Sequence, residues 1–119
     1  MSQTSKRQLR AAELVRHAVS AIFSRTSWRD ERLAGRIITV TMVKMSPDLA
    51  NAEVFIRPLQ GTDMQDVARA LNNNKSYVRR ELAADLRQLR IVPQIRFTAD
   101  DSFELAEKIQ KMLRLTSDL

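Results

Sequence analysis

Four arginines near the middle of the chain could bind phosphate groups, because a guanidinium presents planar donors that match phosphate oxygens. When residues 76–90 are projected as a helix, the four fall within roughly 100° of one another. They are Arg79, Arg80, Arg87 and Arg90. A separate apolar stripe on the same projection consists of Val78, Leu82, Leu86 and Leu89. The pattern predicts a helix that packs on one side and offers phosphate contacts on another.

The acidic residues of this helix lie on the flank opposite the arginines. Glu81 and Asp85 could pair along the surface with Arg80 or Gln88, and the helix would then be an ordinary solvated helix of mixed charge. A helix that is charged only for solubility is less expected to carry its basic and its acidic residues on separate flanks. We therefore favour a phosphate-facing role for the basic flank.

The positive charge of the chain is concentrated in two blocks. The 119 residues carry a net charge of +6. Residues 1–36 carry +5 and residues 74–98 carry +4, whereas residues 37–73 and 99–119 carry −1 and −2. Such blocks favour a polyanionic partner, because each Lys or Arg placed against a phosphate releases condensed counterions.

The absence of cysteine and the single histidine limit the chemistry available to the chain. Disulfides, thiolate catalysis and cysteine-ligated metals are excluded, and a cytoplasmic location is expected. His17 lies in a basic helical segment without neighbouring ligands or catalytic partners, so we expect neither a metal site nor a cofactor. No apolar run reaches the ~20 residues of a membrane span, and no membrane partner is expected.

The periodicity of apolar residues predicts the elements that position the cations. Helices are expected over residues 8–24, from a capped start at 62–65 to residue 71, over 77–89 and after a capped start at 101–104. An interruption at 72–76 separates the second helix from the third. Strands are expected at 36–44, 50–57 and 94–98. The helix at 62–65 begins with capping-box spacing from Thr62 to Gln65. The order predicts an α+β fold in which helices cover one face of a three-stranded sheet. Residues 1–119 form a single domain, with 1–6 flexible.

A helix, an interruption and a second helix beside a small sheet are compatible with a KH-type nucleic-acid-binding architecture. The usual GXXG clamp is excluded, because the two glycines, Gly35 and Gly61, lie outside the interruption. Phe55 and Phe97 stand singly on their strands and are expected in the core, which disfavours a stacking sheet of the RRM type. Trp28 is expected to pack under the connector after the first helix.

Segments along nearly the whole chain resemble the ribosome-binding factor A family of bacteria and organelles. They are residues 39–56, 77–82 and 89–97, with support from 7–10, 30–33 and 100–102. The resemblance implies a type II KH-like factor that binds the small ribosomal subunit and its RNA and assists late maturation of small-subunit rRNA and cold adaptation. It also implies that the protein has no catalytic activity of its own.

In that family an Ala-x-Gly kink between the two helices replaces the GXXG loop, and the matching positions here are Asn74, Lys75 and Ser76. The chain departs from the family pattern at both ends of the kink. Asn tolerates left-handed backbone and Ser can cap a following helix, so a break at these positions is expected.

The favoured function is a non-enzymatic RNA-binding assembly factor that acts as a monomer, without a small-molecule substrate. The predicted phosphate contacts are Lys75, Arg79, Arg80, Arg87 and Arg90, with Arg7 and Arg10 as a second patch. The side chains of Asn72, Asn73 or Asn74 could hydrogen-bond exposed RNA groups.

Two other functions were weighed against RNA binding. The basic helices could instead meet an acidic protein, and the sequence discriminates poorly between these partners. A small enzyme is disfavoured, because Asp48, Asp100 and Asp101 lie where turn and cap residues are expected.

Overall fold

The computed structural model describes residues 4–87 and 92–117. The elements are α1 (Lys6–Arg25), β1 (Ile38–Met45), β2 (Asn51–Pro58), α2 (Met64–Asn73), α3 (Lys75–Asp85), β3 (Gln94–Ala99) and α4 (Ser102–Ser117). The sheet order is β1-β2-β3, with β1 antiparallel to β2 and β2 parallel to β3. This order of elements confirms the predicted α+β architecture. The second helix of the pair ends at Asp85, short of the predicted Leu89, which lies outside the described residues.

Helix α1 begins with a reciprocal capping box. The Ser5 hydroxyl oxygen accepts the Gln8 backbone N–H at 3.1 Å, and the Gln8 side-chain oxygen accepts the Ser5 N–H at 2.9 Å. The buried Gln8 amide nitrogen also donates to the Met45 carbonyl oxygen at 3.0 Å. These bonds fix the start of α1 to the end of β1, so Ser5, which belongs to the segment 1–6 that was expected to be flexible, is held by the fold.

A bulge in β1 changes which residues face the core. The pairing with β2 shifts register between Val40 and Met42, so two residues of β1 oppose one of β2. Val40 and Val43 are therefore both buried, while Met42 is 42% exposed. Simple alternation of Ile38, Val40 and Met42 with the residues between them would place all three on one face, but the inserted residue reverses the faces beyond it.

The core lies between the sheet and the first three helices. Its fully buried members include Val15 and Ile22 of α1, Val54 of β2, Leu71 of α2 and Leu82 of α3. Burying a side chain of this size contributes about 1.5–3 kcal/mol relative to exposure. Helices α1 to α3 are thus held on one face of the sheet.

The other face of the sheet carries Phe55. Its ring is half-buried and the Lys44 ammonium lies 5.5 Å from the ring centroid. Phe97, in contrast, is 2% exposed and lies in the core. The core assignment was therefore correct for Phe97 and wrong for Phe55, whose strand position alternates with the buried Val54 and Ile56.

The start of α2 also differs from the predicted capping box. The helix is preceded by Asp63 as N-cap, with no side-chain hydrogen bond to the helix N-terminus. The Asp63 carboxylate instead accepts two bonds from the Arg36 guanidinium, at 2.7 and 2.9 Å. Thr62 therefore does not serve as the predicted cap, because an ion pair to the connector fixes this helix end.

Helix α4 is exposed along the length of its described side chains, 102–116. Leu105, Ile109, Met112 and Leu113 form the predicted apolar side and are 48–63% exposed. The first turn is attached to β2, because the Glu104 carboxylate pairs with the Arg57 guanidinium, which also lies 5.2 Å from the Phe103 ring centroid.

Candidate nucleic-acid interface

The interruption between α2 and α3 is confined to Asn74. Its backbone N–H donates to the carbonyls of Ala70 and Leu71 at 3.2 and 3.0 Å, and its carbonyl accepts the Tyr77 N–H at 3.1 Å. The backbone has φ −107° and ψ 12°, so no left-handed residue is needed. Ser76 does not cap α3 as expected, because it lies with Lys75 in the first turn of that helix.

The Asn74 side chain anchors the interruption to two parts of the fold. Its amide nitrogen donates to the Ala70 carbonyl at 2.7 Å and to the Asp30 carboxylate at 3.3 Å. The Arg32 guanidinium, which also bonds this carboxylate, holds the pKa of Asp30 below its ordinary value. The connector between α1 and β1 therefore fixes the junction of α2 and α3.

A line of four aromatic rings supports the junction from the core. The ring centroids of Phe97 and Phe23 are 5.9 Å apart, those of Phe23 and Trp28 are 6.0 Å apart, and those of Trp28 and Tyr77 are 5.9 Å apart. The Tyr77 hydroxyl lies 3.2 Å from the Thr26 hydroxyl. Trp28 thus packs under the connector as predicted, and it braces the first turn of α3.

Two of the predicted cations, Lys75 and Arg80, project from this supported helix and are exposed. Arg87 is also exposed, but it lies two residues beyond the end of α3. The Arg80 guanidinium carbon lies 6.0 Å from the centroid of the Tyr77 ring, so that side chain is loosely held over the junction. Arg90, predicted to join them, lies outside the described residues.

Lys75 and Arg80 border a cleft of about 370 Å³ that lies between α3 and the start of β3. Its lining residues are Lys75, Ser76, Arg79, Arg80, Ala83, Val92, Gln94 and Ile95. Basic and polar groups lie beside small apolar ones, which suits a nucleotide because phosphate and base require different surroundings. Gln94 was missed by the sequence analysis, although its position directly after Pro93 at the start of a strand was a usable signal.

Arg79 differs from the other cations because the protein itself occupies two of its donors. Its Nε donates to the Pro93 carbonyl at 3.3 Å and one terminal nitrogen donates to the Val92 carbonyl at 3.1 Å. Its side chain is half-buried. Arg79 therefore fastens α3 to the segment that enters β3, a structural role that the helical projection did not reveal.

The acidic flank of α3 faces α1. The Arg25 guanidinium lies 3.0 Å from the Asp85 carboxylate and 3.6 Å from that of Glu81. The hydrogen bond to Asp85 is the first cause of the raised pKa of Arg25. The alternative pairing of these carboxylates with Arg80 does not occur among the described residues, and Gln88 lies outside them. The acidic flank is thus occupied by Arg25, while Lys75 and Arg80 stay exposed.

The second predicted patch lies at the start of α1. Arg7 and Arg10 are exposed on either side of Gln8, whose bond to the Met45 carbonyl places them beside the end of β1. They lie on α1 and form a patch separate from the cleft.

The asparagines of the junction are only partly available to a ligand. The Asn72 side chain donates to the Phe97 carbonyl and accepts the Phe97 N–H, both at 2.8 Å. Asn74 is occupied as described above, whereas Asn73 is exposed. The Asn72 amide therefore bonds to backbone groups of the fold through both its oxygen and its nitrogen, whereas the bonds of Asn74 involve its amide nitrogen. Contact of these asparagines with RNA stays a prediction, and Asn73 is the most accessible of the three.

Two of the three carboxylates considered for an enzyme, Asp48 and Asp100, have structural partners. Asp48 accepts the Ser46 hydroxyl at 2.6 Å and the Ala50 N–H at 3.0 Å, which is the predicted turn role. Within residues 4–87 and 92–117, no group of three or more His, Asp or Glu residues is placed to hold a metal ion. None of the helices in that part of the chain is long and apolar enough to cross a membrane.

The chain is similar in sequence to known proteins of one family. The sequence model of the family described as Ribosome-binding factor A matches residues 7–113. Ribosome-binding factor A of a Bradyrhizobium species is 51% identical over 110 residues, covering 92% of this chain and 79% of that protein.

Two solved structures share the fold. The crystal structure of ribosome-binding factor A from Thermus thermophilus has a TM-score of 0.63 at 21% identity, covering 77% of this chain and 94% of that one. A homology model of the Thermus thermophilus factor, fitted into a cryo-EM map of a 30S–RbfA complex, has a TM-score of 0.60 at 21% identity, covering 76% and 91%. The fold is thus the KH-like fold of these structures. The extent of the family match and the close relative together show that the chain belongs to the ribosome-binding factor A family.

Proposed function

We propose that this protein is a non-enzymatic assembly factor that binds the small ribosomal subunit and its RNA during late maturation of small-subunit rRNA, with a role in adaptation to cold. The observation that carries the proposal is the exposed basic flank of α3 beside the cleft. The protein's membership of the ribosome-binding factor A family supports the proposal. A homology model of the Thermus thermophilus relative, fitted into a cryo-EM map of a 30S complex, supports it as well.

The geometry suits recognition of an RNA backbone by a preorganised surface. The Asn74 side chain and the Trp28 ring fix the start of α3, from which Lys75 and Arg80 project. A helix whose start is already rigid reduces the conformational entropy lost on binding RNA, because only the long side chains must be ordered. Exposed bases of single-stranded RNA would enter the cleft, where Gln94 can hydrogen-bond their edges.

The proposal also concerns the domain and its mode of action. Residues 1–119 act as one KH-like RNA-binding domain, in the cytoplasm and as a monomer. Binding requires neither a small-molecule substrate nor a membrane. Phosphate contacts supply the affinity, and chemical conversion of the RNA is left to other proteins.

A triple variant, Lys75→Ala with Arg80→Ala and Arg87→Ala, tests the proposal. Arg79 is left in place because its loss would disturb the fold. We expect weaker co-sedimentation with immature small-subunit particles, and a salt dependence whose slope falls by about 2–3, since each lost phosphate contact removes roughly 0.7–0.9.

A matched control removes the same charge elsewhere, through Arg69→Ala, Lys108→Ala and Lys111→Ala on the exposed faces of α2 and α4. Unchanged co-sedimentation of the α3 variant, or equal losses in both variants, would refute a specific role of the basic flank. Association that survives complete nuclease digestion would instead favour the acidic protein partner.

A further inference from the structure

The two edges of the sheet are protected to different extents. On β3, the Asn72 side chain occupies both the N–H and the carbonyl of Phe97. Arg79 occupies the carbonyls of Val92 and Pro93 just before that strand. Proteins commonly cover sheet edges in this way, because unpaired backbone groups can pair with another chain. The edge at β3 is therefore closed by α2 and α3.

Within residues 4–87 and 92–117, the edge at β1 keeps unpaired backbone groups. The Ser46 N–H donates to the Asn51 carbonyl at 2.9 Å, and antiparallel alternation then directs the backbone groups of Lys44 and Met42 toward β2. Val43 and Met45 consequently direct theirs away from the sheet. The Met45 carbonyl accepts the Gln8 side chain, which leaves the Met45 N–H and both groups of Val43 facing outward.

A groove of about 540 Å³ runs between this edge and α1. Lining residues on the helix side include Leu9 and Ala12, and those on the strand side include Met42, Val43 and Lys44. The side chain of Val43 is only 8% exposed, so this residue offers mainly backbone to the groove. Leu9 and Met42 are 56% and 42% exposed and supply an apolar wall on each side.

We propose that this groove binds an extended peptide segment of a protein partner, which adds to β1 as a fourth strand. Outward N–H and carbonyl groups are the partners that an extended backbone requires, and alternate side chains of the added strand would lie against the apolar walls. The bulge between Val40 and Met42 limits the added strand to the stretch over Met42–Met45, which spans about 13 Å at ~3.3 Å per residue.

The charge of the groove selects an acidic peptide. Lys44 is exposed and forms no ion pair within the part of the chain that the structure describes. The Arg16 guanidinium lines the other side, although it pairs with Glu13 at 2.9 Å. On an added strand, carboxylates at alternate positions would all lie on the face that carries Lys44 and Phe55, and the apolar side chains between them would lie against Leu9 on the α1 side. This inference is independent of RNA binding, since it concerns the opposite sheet edge from the cleft and a different class of partner.

Amide chemical shifts of the isotopically labelled protein, measured without RNA, test the proposal. The probe is a synthetic peptide of alternating valine and glutamate, used at millimolar concentration. We expect the amide signals of Val43 and Met45 to shift and their hydrogen exchange to slow several-fold. The amides of Met42 and Lys44 should change less, because they already bond to β2.

Three controls separate strand addition from other contacts. Backbone N-methylation of the peptide and the groove variant Leu9→Gln, which removes an apolar wall without adding charge, should each abolish most of the change, and a peptide of valine and lysine should bind less. The proposal would be overturned if the amide signals of Val43 and Met45 did not respond to the valine–glutamate peptide. It would also be overturned if the N-methylated peptide caused the same shifts as the unmodified one, or if the lysine peptide bound as well as the glutamate peptide. Shifts that depend on protein concentration without peptide would identify a second copy as the occupant, and would also overturn it.

Discussion

Replacement of Asn72 by alanine should destabilise the protein by opening the edge of β3. The Asn72 amide nitrogen donates to the Phe97 carbonyl and its oxygen accepts the Phe97 N–H, both at 2.8 Å. These bonds join the last turns of α2 to the middle of the strand. Phe97 is 2% exposed, so its backbone groups have limited access to other partners. The substitution therefore removes two hydrogen bonds at once and leaves both backbone groups to find water.

The expected loss of stability follows from the burial of Asn72 and Phe97. A net hydrogen bond contributes about 0.5–1.5 kcal/mol, and an unsatisfied buried group costs about 1–3 kcal/mol. Asn72 is half-buried, so water can enter part of the vacated space and reduce the second cost. Alanine also improves helix propensity by up to ~0.7 kcal/mol. The balance is a decrease of about 2 kcal/mol in the free energy of unfolding, or roughly 8 °C in Tm.

Asn73→Ala is a matched control, because Asn73 occupies the next position of α2 and is exposed. Urea unfolding of the two variants should give a change within about 0.5 kcal/mol of zero for Asn73→Ala. Hydrogen exchange of the Phe97 amide should accelerate in Asn72→Ala alone. Equal stabilities, or unchanged exchange at Phe97, would refute the assignment of Asn72 as the cover of this strand edge.

Two further substitutions test fixed points of the fold. Hydrogen bonds from Ser102 and Thr41 lower the pKa of Asp100, so its contribution to stability is present above the unfolded pKa of about 3.9 and is lost as pH falls through the lower folded value. Asp100→Asn should therefore be less stable than wild type in urea at about pH 7, and the difference should shrink toward about pH 3; a constant difference would contradict this. Gly61 has φ +102°, and a Cβ there would lie 2.8 Å from both an Arg36 nitrogen and an Asp63 oxygen. Gly61→Ala should cost about 2–3 kcal/mol by thermal unfolding, against about 1–2 kcal/mol for Gly35→Ala, where φ is +71° and the space is open; equal costs would contradict the steric argument.

The order of elements was predictable because each segment has a clear apolar period and the breaks coincide with Pro, Gly or Asn. The face assignments in β1 were not, since nothing in the residue types of Val40 to Met42 marks an inserted residue. Phe55 illustrates a different limit. Its aromatic character favoured the core, but its position between the buried Val54 and Ile56 decided its direction.

The candidate site was predictable to the extent that it depends on one helix. The projection correctly separated Arg80 from the core-facing stripe, because exposure and burial both follow from position along α3. It could not identify Arg79 as structural, since the Val92 carbonyl that receives its bond lies 13 residues away along the chain. The partner of Asp85 was also hidden, because Arg25 belongs to a helix that is distant in sequence.

The structure explains how a helix junction without glycine can still present a KH-like surface. In a GXXG loop the glycines allow the backbone to approach the nucleic acid closely. Here Asn74 has negative φ, and its side chain replaces backbone freedom with bonds to Ala70 and Asp30. Close approach of the backbone is therefore not needed for the break itself, and under the proposed function we expect the long side chains of Lys75 and Arg80 to contact phosphate instead. A junction of this kind lacks the main-chain clamp of the standard KH domain and would rely on charge, so we expect the proposed RNA binding to depend more strongly on salt.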